Sequence, residues 1–126
     1  MQSFRTVRSV LFLAALAAGL SACASGGGGG GAPRGSTNRI IESELEALVS
    51  LDAFEAVQRL RPRWLTPRAG SVPQVVVDGT QQGGPEALRR FRVSDVQELR
   101  YLSAGDATMR YGTGFPGGAI EVVTRR

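Results

Sequence analysis

The chain has 126 residues, a formal net charge of +4, a single cysteine, and neither histidine nor lysine. A lone cysteine cannot form an intramolecular disulfide, and without histidine the chain lacks the ligands for a zinc cluster. Acid–base chemistry would depend on carboxylates, hydroxyls, tyrosines and arginines alone, and no pattern brings these groups into one pocket. We therefore predict a protein that is not an enzyme, with no catalytic residue, no metal and no cofactor.

Residues 1–22 have the order of a secretory signal peptide. Arg5 and Arg8 precede a short apolar run at 10–20, and small residues close this run directly before Cys23. The run is shorter than the roughly 20 apolar residues of a membrane-spanning helix. An ordinary signal needs no cysteine just after its cleavage point, and the segment resembles the lipobox of bacterial lipoproteins. The resemblance implies that Cys23 receives a lipid, becomes the mature N-terminus and anchors the protein in a membrane.

Residues 23–36 are predicted to be the lipidated cysteine followed by a flexible linker. They contain six consecutive glycines, Gly26–Gly31, and have no apolar periodicity. A glycine-rich coil of this length has an end-to-end distance of about 20 Å, which suits a tether between a membrane and a folded domain. Ala24 and Ser25 stand where lipoproteins retained in the inner membrane carry an aspartate. By this resemblance we predict anchoring in the outer membrane, with the domain facing the periplasm.

The mature chain is only weakly basic. Loss of Arg5 and Arg8 with the signal leaves thirteen arginines against eleven acids. A nucleic-acid-binding protein usually concentrates its basic residues on one face, whereas acids interleave with these arginines. Together with an exported location, this charge pattern predicts no nucleic-acid partner.

Residues 37–126 are long enough for one small domain, and helical patterns fill its first half. An S-x-x-E capping pattern stands at 43–46, and Asp52 offers a second helix start. Apolar residues at helical spacing continue from there until Pro62 ends the helix. Trp64 follows, and we favour a place in the core against these helices over a role as a ligand-stacking surface.

Strand patterns and short helices alternate in the second half. The β-branched run at 74–78 ends in an Asp-Gly turn signal, and 96–102 and 118–124 are two further predicted strands. Pro85 opens a brief helix between the first two strands, and a capping box that begins at Ser103 opens another before the last. These patterns predict an α+β domain in which short strands form one sheet and short helices pack on it.

Four segments of this half occur in an order that is similar to that of a known family. V-V-V-D-G at 75–79 resembles the family's apolar strand and turn, and V-Q-E-L-R-Y-L at 96–102 resembles a strand in which apolar positions flank a glutamate. A-G-D-A at 104–107, which leads to R-Y-G, is similar to a short helix that ends in Tyr-Gly. G-G-A-I-E-V-V-T-R at 117–125 resembles the closing strand. The family is the plug domain of TonB-dependent outer-membrane receptors.

The resemblance implies a plug-like fold for residues 37–126 and a non-enzymatic role at the outer membrane. In the receptors an energy-coupling box precedes the plug and a barrel follows it. This chain instead has a lipidation signal and glycines before the domain and stops at Arg126. We therefore expect a stand-alone plug-like lipoprotein that does not import substrates through a pore of its own. It would contact another protein of the cell envelope, such as transport machinery.

Five residues are predicted to take part in that contact: Trp64, Tyr101, Tyr111, Glu121 and Val122. The last two lie on the terminal strand, which we expect to be an exposed edge that accepts a partner's strand. The competing interpretation places this strand inside the sheet, paired on both sides. An alternative function is a periplasmic module that binds a small ligand or peptide, of unspecified identity, through the three aromatic residues and nearby arginines.

Overall fold

A five-stranded mixed sheet organises residues 35–126, the part of the chain that the computed structural model describes. Several short helices accompany the sheet, so the predicted α+β class is confirmed. The signal peptide, Cys23 and nearly all of the linker lie outside the described residues, and their roles stay predictions.

The elements are short. The strands are β1 (Arg39–Ile40), β2 (Gln74–Val77), β3 (Thr80–Gly83), β4 (Val96–Leu102) and β5 (Ala119–Thr124). The α-helices are α1 (Glu42–Leu45), α2 (Ala53–Leu60) and α3 (Ala104–Tyr111). Single turns of 3₁₀ helix stand at Glu46–Leu48, Pro62–Leu65 and Val93–Asp95, with a longer one at Pro85–Arg90.

The strand order β1-β4-β5-β2-β3 places β5 at the centre of the sheet. It runs antiparallel to β4, where Leu99 is the register partner of Val122, and parallel to β2, where Val77 is the partner of the same residue. The expectation that β5 is an exposed edge is therefore wrong, because its backbone pairs on both sides. Its nearly continuous apolar sequence, A-I-E-V-V, is typical of a strand that is covered on both faces.

The larger core lies between one face of the sheet and the helices that cover it. α2 contributes Ala53, Ala56 and Val57, and β5 contributes Ile120 and Val122, all of them fully buried. Removing each large aliphatic side chain from water stabilises the fold by about 1.5–3 kcal/mol. Val122, which was predicted to contact a partner, belongs to this core and is closed to a partner in the folded domain.

Two helices begin at their predicted caps. Asp52 Oδ1 accepts a hydrogen bond from the N–H of Glu55 at 2.8 Å, at the start of α2. Ser103 Oγ accepts one from the N–H of Asp106 at 3.2 Å, at the start of α3. Each bond satisfies one of the backbone donors that the first turn of a helix leaves without a partner.

The cap predicted at 43–46 is wrong. α1 begins at Glu42, and the carboxylate of Glu44 accepts the N–H of Ile41 at 3.2 Å. Strand β1, which the sequence patterns did not reveal, ends at Ile40 and leaves Ile41 as the residue before the helix. The helix therefore starts before the expected capping position.

The β2–β3 turn is tied to the end of β5. Asp78 and Gly79 have φ angles of 45° and 87°, as both central residues of a type I′ turn require. The Thr124 hydroxyl donates to Asp78 Oδ2 at 2.5 Å, and the Thr124 N–H donates to Oδ1 at 3.1 Å. These two bonds hold the pKa of Asp78 below its ordinary value, and the bond from the Thr124 hydroxyl has the larger effect.

The opposite face of the sheet is only partly covered. α3 lies over it and, with the segment after the helix, closes a small second core of Val76, Ala107, Phe115 and Ala119. The connection into β5 is tight: a Cβ on Gly118, whose φ is 85°, would lie 2.5 Å from the carbonyl oxygen of Leu102. On this face β1 carries Arg39 and β4 carries Glu98 and Arg100, whereas Leu102 at the end of β4 packs against the second core.

Candidate functional site

Charged side chains form a row across the face of the sheet on which α3 lies. The strand register places Arg39 of β1 beside Arg100 of β4, and Arg100 beside Glu121 of β5. Glu98 is two residues from Arg100 on the same strand, so both side chains point to this face. Arg110 joins them from α3 through an ion pair with Glu121. We call these five residues the charged cluster.

Glu98 is held between two arginines. Its side chain is 12% exposed, and Arg39 Nη2 donates to Oε2 at 2.6 Å. Arg100 Nε donates to the other carboxylate oxygen, Oε1. Burial alone would raise the pKa of Glu98, but the hydrogen bonds and charges of Arg100 and Arg39 outweigh it and bring the pKa below its ordinary value. Glu98 is therefore a fixed negative charge at neutral pH.

Glu121 is more deeply buried, with 8% of its side chain exposed. The Tyr111 hydroxyl donates to Oε1 at 2.6 Å, and Arg110 Nη2 lies 3.3 Å from the same oxygen. The other oxygen, Oε2, is buried and has no hydrogen-bond partner among residues 35–126. A buried acceptor without a partner is uncommon in folded proteins and calls for an explanation.

The environment of Glu121 also shifts the pKa of Tyr111. Burial, then its hydrogen bond to Glu121 and the charge of that carboxylate, raise the pKa of Tyr111 to about 12. The phenol therefore stays protonated and donates to Glu121 at any physiological pH. Its ring also packs against Phe115, with 5.9 Å between the ring centroids, so α3 is fixed to the sheet at this point by both polar and apolar contacts.

The three arginines of the charged cluster remain open to solvent. Their side chains are 50%, 39% and 50% exposed for Arg39, Arg100 and Arg110. Each guanidinium carries five N–H donors, and only part of each set is used on Glu98 and Glu121. Three cations face two carboxylates, so the cluster keeps a net positive charge and free donors on one side. Chemically it is equipped to bind an anionic group through charge-assisted hydrogen bonds.

Of the five predicted contact residues, Tyr111 and Glu121 lie together on the side of the sheet that carries the charged cluster. Trp64 and Tyr101 lie on the other face of the sheet, buried in the larger core, with their ring centroids 6.0 Å apart. Trp64 Nε1 donates to the carbonyl oxygen of Thr37 at 3.1 Å, and the Tyr101 hydroxyl donates to that of Gly117 at 3.0 Å. The preference for Trp64 as a core residue is confirmed. Neither ring is open to a ligand.

Sequence reasoning missed the arginines of the cluster and Glu98. The available signal was the alternation within β4, where Glu98 and Arg100 stand two apart and so share a face. Arg39 and Arg110 had no such signal, because they come from a two-residue strand and a helix whose placement depends on tertiary packing.

Among residues 35–126 no group of three or more His, Cys, Asp or Glu side chains could hold a metal ion. Within the same region no helix is both long and apolar enough to span a membrane. Comparisons with models of protein families, with curated proteins and with solved structures find no match to this chain.

Proposed function

We propose that the protein is a non-enzymatic lipoprotein, anchored in the outer membrane through a lipid on Cys23, whose plug-like domain contacts another protein of the cell envelope. The order of features around Cys23 carries this proposal. A positive segment, a short apolar run and small residues lead to the cysteine, and a glycine-rich tether follows it.

The described domain supports the proposal in two ways. The α+β fold contains a strand, an Asp-Gly turn, a second strand, a short helix and a closing strand in the order of the plug-like segments. The half-exposed arginines of the charged cluster also give a domain of this small size a surface suited to recognition rather than to covalent chemistry.

Lipid labelling tests the anchor. The full chain and its Cys23→Ala variant are expressed in a Gram-negative host that is fed radiolabelled palmitate, and inner and outer membranes are then separated. We expect label in the outer-membrane fraction for the natural chain and none for the variant. A natural chain that is unlabelled and freely soluble would contradict the proposal.

Partner contact is tested separately. The chain is crosslinked in intact cells and recovered from detergent-solubilised envelopes, and the Cys23→Ala variant provides the matched control that has the same domain but no anchor. We expect an envelope protein to be captured by the anchored form and depleted with the variant. Recovery of the chain with no crosslinked protein in either form would count against an interaction role.

A further inference from the structure

We propose that the charged cluster is the contact surface and that it binds an acidic segment of a partner polypeptide. This inference rests on the function proposed above and adds the chemistry of the partner. The charge balance of the cluster is its first support. Glu98 and Glu121 neutralise two of the three guanidinium groups, and the exposed sides of Arg39, Arg100 and Arg110 retain donors that carboxylates fit bidentately.

The register gives the second support. Arg39 and Arg100 are direct cross-strand partners, and like charges in that position destabilise a sheet. Glu98 relieves part of the repulsion by pairing with both. A pairing that works against the fold is expected where function requires it. An incoming carboxylate would lie against two adjacent cations and remove the remaining repulsion, so binding would relieve a cost that the free domain carries.

The surroundings of Glu121 favour a polypeptide over a simple oxyanion as the ligand of the charged cluster. Its Oε2 lacks a donor among the described residues, and Arg110, which is half exposed, is held to the same carboxylate by one contact of 3.3 Å. If Arg110 turns toward a bound carboxylate, it releases Oε1 of Glu121, the oxygen that it contacts, for a new hydrogen bond. A polypeptide offers both groups, carboxylates for the arginines and backbone N–H donors for the Glu121 oxygen that Arg110 releases. A phosphodiester group by itself offers only acceptors, and the vesicle experiment below tests a lipid headgroup that also carries hydroxyl donors.

The shape of the site suits an extended segment. Arg39, Arg100 and Glu121 lie on three neighbouring strands, which are spaced by about 4.8 Å each, so the row has a length of about 10 Å. Acidic side chains that alternate along an extended chain reach successive positions at about 7 Å, within the reach of long arginine side chains.

The test measures binding of a dye-labelled polyglutamate peptide to the full chain in detergent by fluorescence anisotropy. The decisive variant carries Arg39→Gln and Arg110→Gln. It leaves Arg100 on Glu98 and Tyr111 on Glu121, so that neither buried carboxylate loses all of its donors. The matched control carries Arg59→Gln and Arg63→Gln, which removes the same charge from exposed positions outside the cluster. Circular dichroism and thermal unfolding establish that both variants fold.

We expect the natural chain and the control to bind polyglutamate, with affinity that falls as salt is added, and the decisive variant to bind about tenfold more weakly. A polyglutamine peptide of equal length should not bind. Equal weakening of both variants would overturn the proposal, since binding would then follow net charge alone. Absence of polyglutamate binding by the natural chain would also overturn it.

Vesicles test the lipid alternative. All forms in this experiment carry Cys23→Ser, which removes the anchor. If the form with the intact cluster binds phosphatidylglycerol vesicles more tightly than polyglutamate, and the two decisive substitutions abolish vesicle binding, the surface recognises phosphate and the proposal is overturned. Weaker vesicle binding that both variants share would support an acidic polypeptide. Lipid labelling at Cys23 is independent of these binding results. If the charged cluster does not bind polyglutamate, the proposal of a lipid anchor is unaffected.

Discussion

A short hydrogen bond from Tyr111 joins α3 to the centre of the sheet. The Tyr111 hydroxyl and Glu121 Oε1 are 2.6 Å apart; the Glu121 side chain is buried, and Tyr111 is partly buried. Because Oε2 of the same carboxylate already lacks a partner, the hydrogen bond from Tyr111 and the ion pair with Arg110 are the direct polar contacts of the Glu121 side chain among the described residues. The stability of the domain should therefore respond sharply to the loss of this one hydroxyl.

We predict that Tyr111→Phe lowers the free energy of unfolding by about 1–3 kcal/mol, the cost of leaving a buried polar group with one donor fewer. Urea denaturation followed by circular dichroism measures the difference. Met109→Leu on the same helix is the control, since Met109 is exposed and its replacement should change little. A Tyr111→Phe variant as stable as the natural chain would contradict the importance of the bond.

The same residue predicts a loss of stability in alkali. The pKa of Tyr111 rises from 10.0 to about 12 on folding, so the folded state holds the proton more tightly than the unfolded state. The contribution of the protonated Tyr111 to the free energy of unfolding is complete below about pH 10, and it disappears as the pH rises toward 12. The difference in unfolding free energy between the natural chain and Tyr111→Phe should shrink across that range. A constant difference would show that the phenol does not titrate as proposed.

At the scale of elements, the sequence revealed those with strong local signals. The caps at Asp52 and Ser103 identified α2 and α3, and runs of apolar residues identified β2, β4 and β5. β1 has two residues and β3 reads T-Q-Q-G, so neither has the apolar alternation that marks a strand. Both form because a neighbouring strand offers hydrogen bonds, which is a tertiary effect.

The order of the strands in the sheet could not be predicted from these local sequence signals. The expectation of an edge position for β5 rests on its place near the end of the sequence, which says nothing about strand order. Its apolar run already favoured a covered strand. The charged cluster was beyond reach for a related reason, since Arg39, Arg100 and Arg110 become neighbours only through the register of β1 against β4 and the docking of α3.

The connection between α3 and β5 gives a prediction at this scale. Gly118→Ala should destabilise the domain by more than about 1 kcal/mol, because an L-residue is strained at its φ of 85° and the new Cβ would lie 2.5 Å from the Leu102 carbonyl oxygen. Gly105→Ala is the matched control: it lies in α3 with no atom closer than 3.9 Å to the new Cβ, and it should be neutral or slightly stabilising. Thermal unfolding compares the two. Equal midpoints would refute the close approach at Gly118.

For the whole molecule, β5 is the element that joins the two parts of the sheet. Within residues 35–126, β2 and β3 pair on one side of β5 and β4 and β1 on the other, and the two pairs connect through β5 alone. Val122 lies at the middle of this junction, paired with Leu99 and Val77 and fully buried. A substitution that prevents β5 from pairing would therefore separate the sheet into two parts, whereas loss of an edge strand would leave the remaining strands paired.

We predict that Val122→Pro abolishes cooperative unfolding, because proline cannot continue a central strand. Gln82→Pro is the control, since Gln82 is on edge strand β3 and has no register partner in the bulge between β2 and β3. Circular dichroism and denaturant titration measure both. If Val122→Pro retains a sharp transition at the natural midpoint, β5 does not bind the halves of the sheet together.

The central place of β5 also sets when the domain can fold during biosynthesis. Every other strand leaves the ribosome before β5, yet β4 and β2 have no common neighbour until it arrives. A polypeptide exported through a secretion channel must remain unfolded until it has crossed, and premature folding would block its passage. Because β5 comes last among the described strands, the sheet of this domain cannot be completed before residues 119–124 have been delivered. In the export proposed above, this order of synthesis would favour a chain that stays competent for translocation.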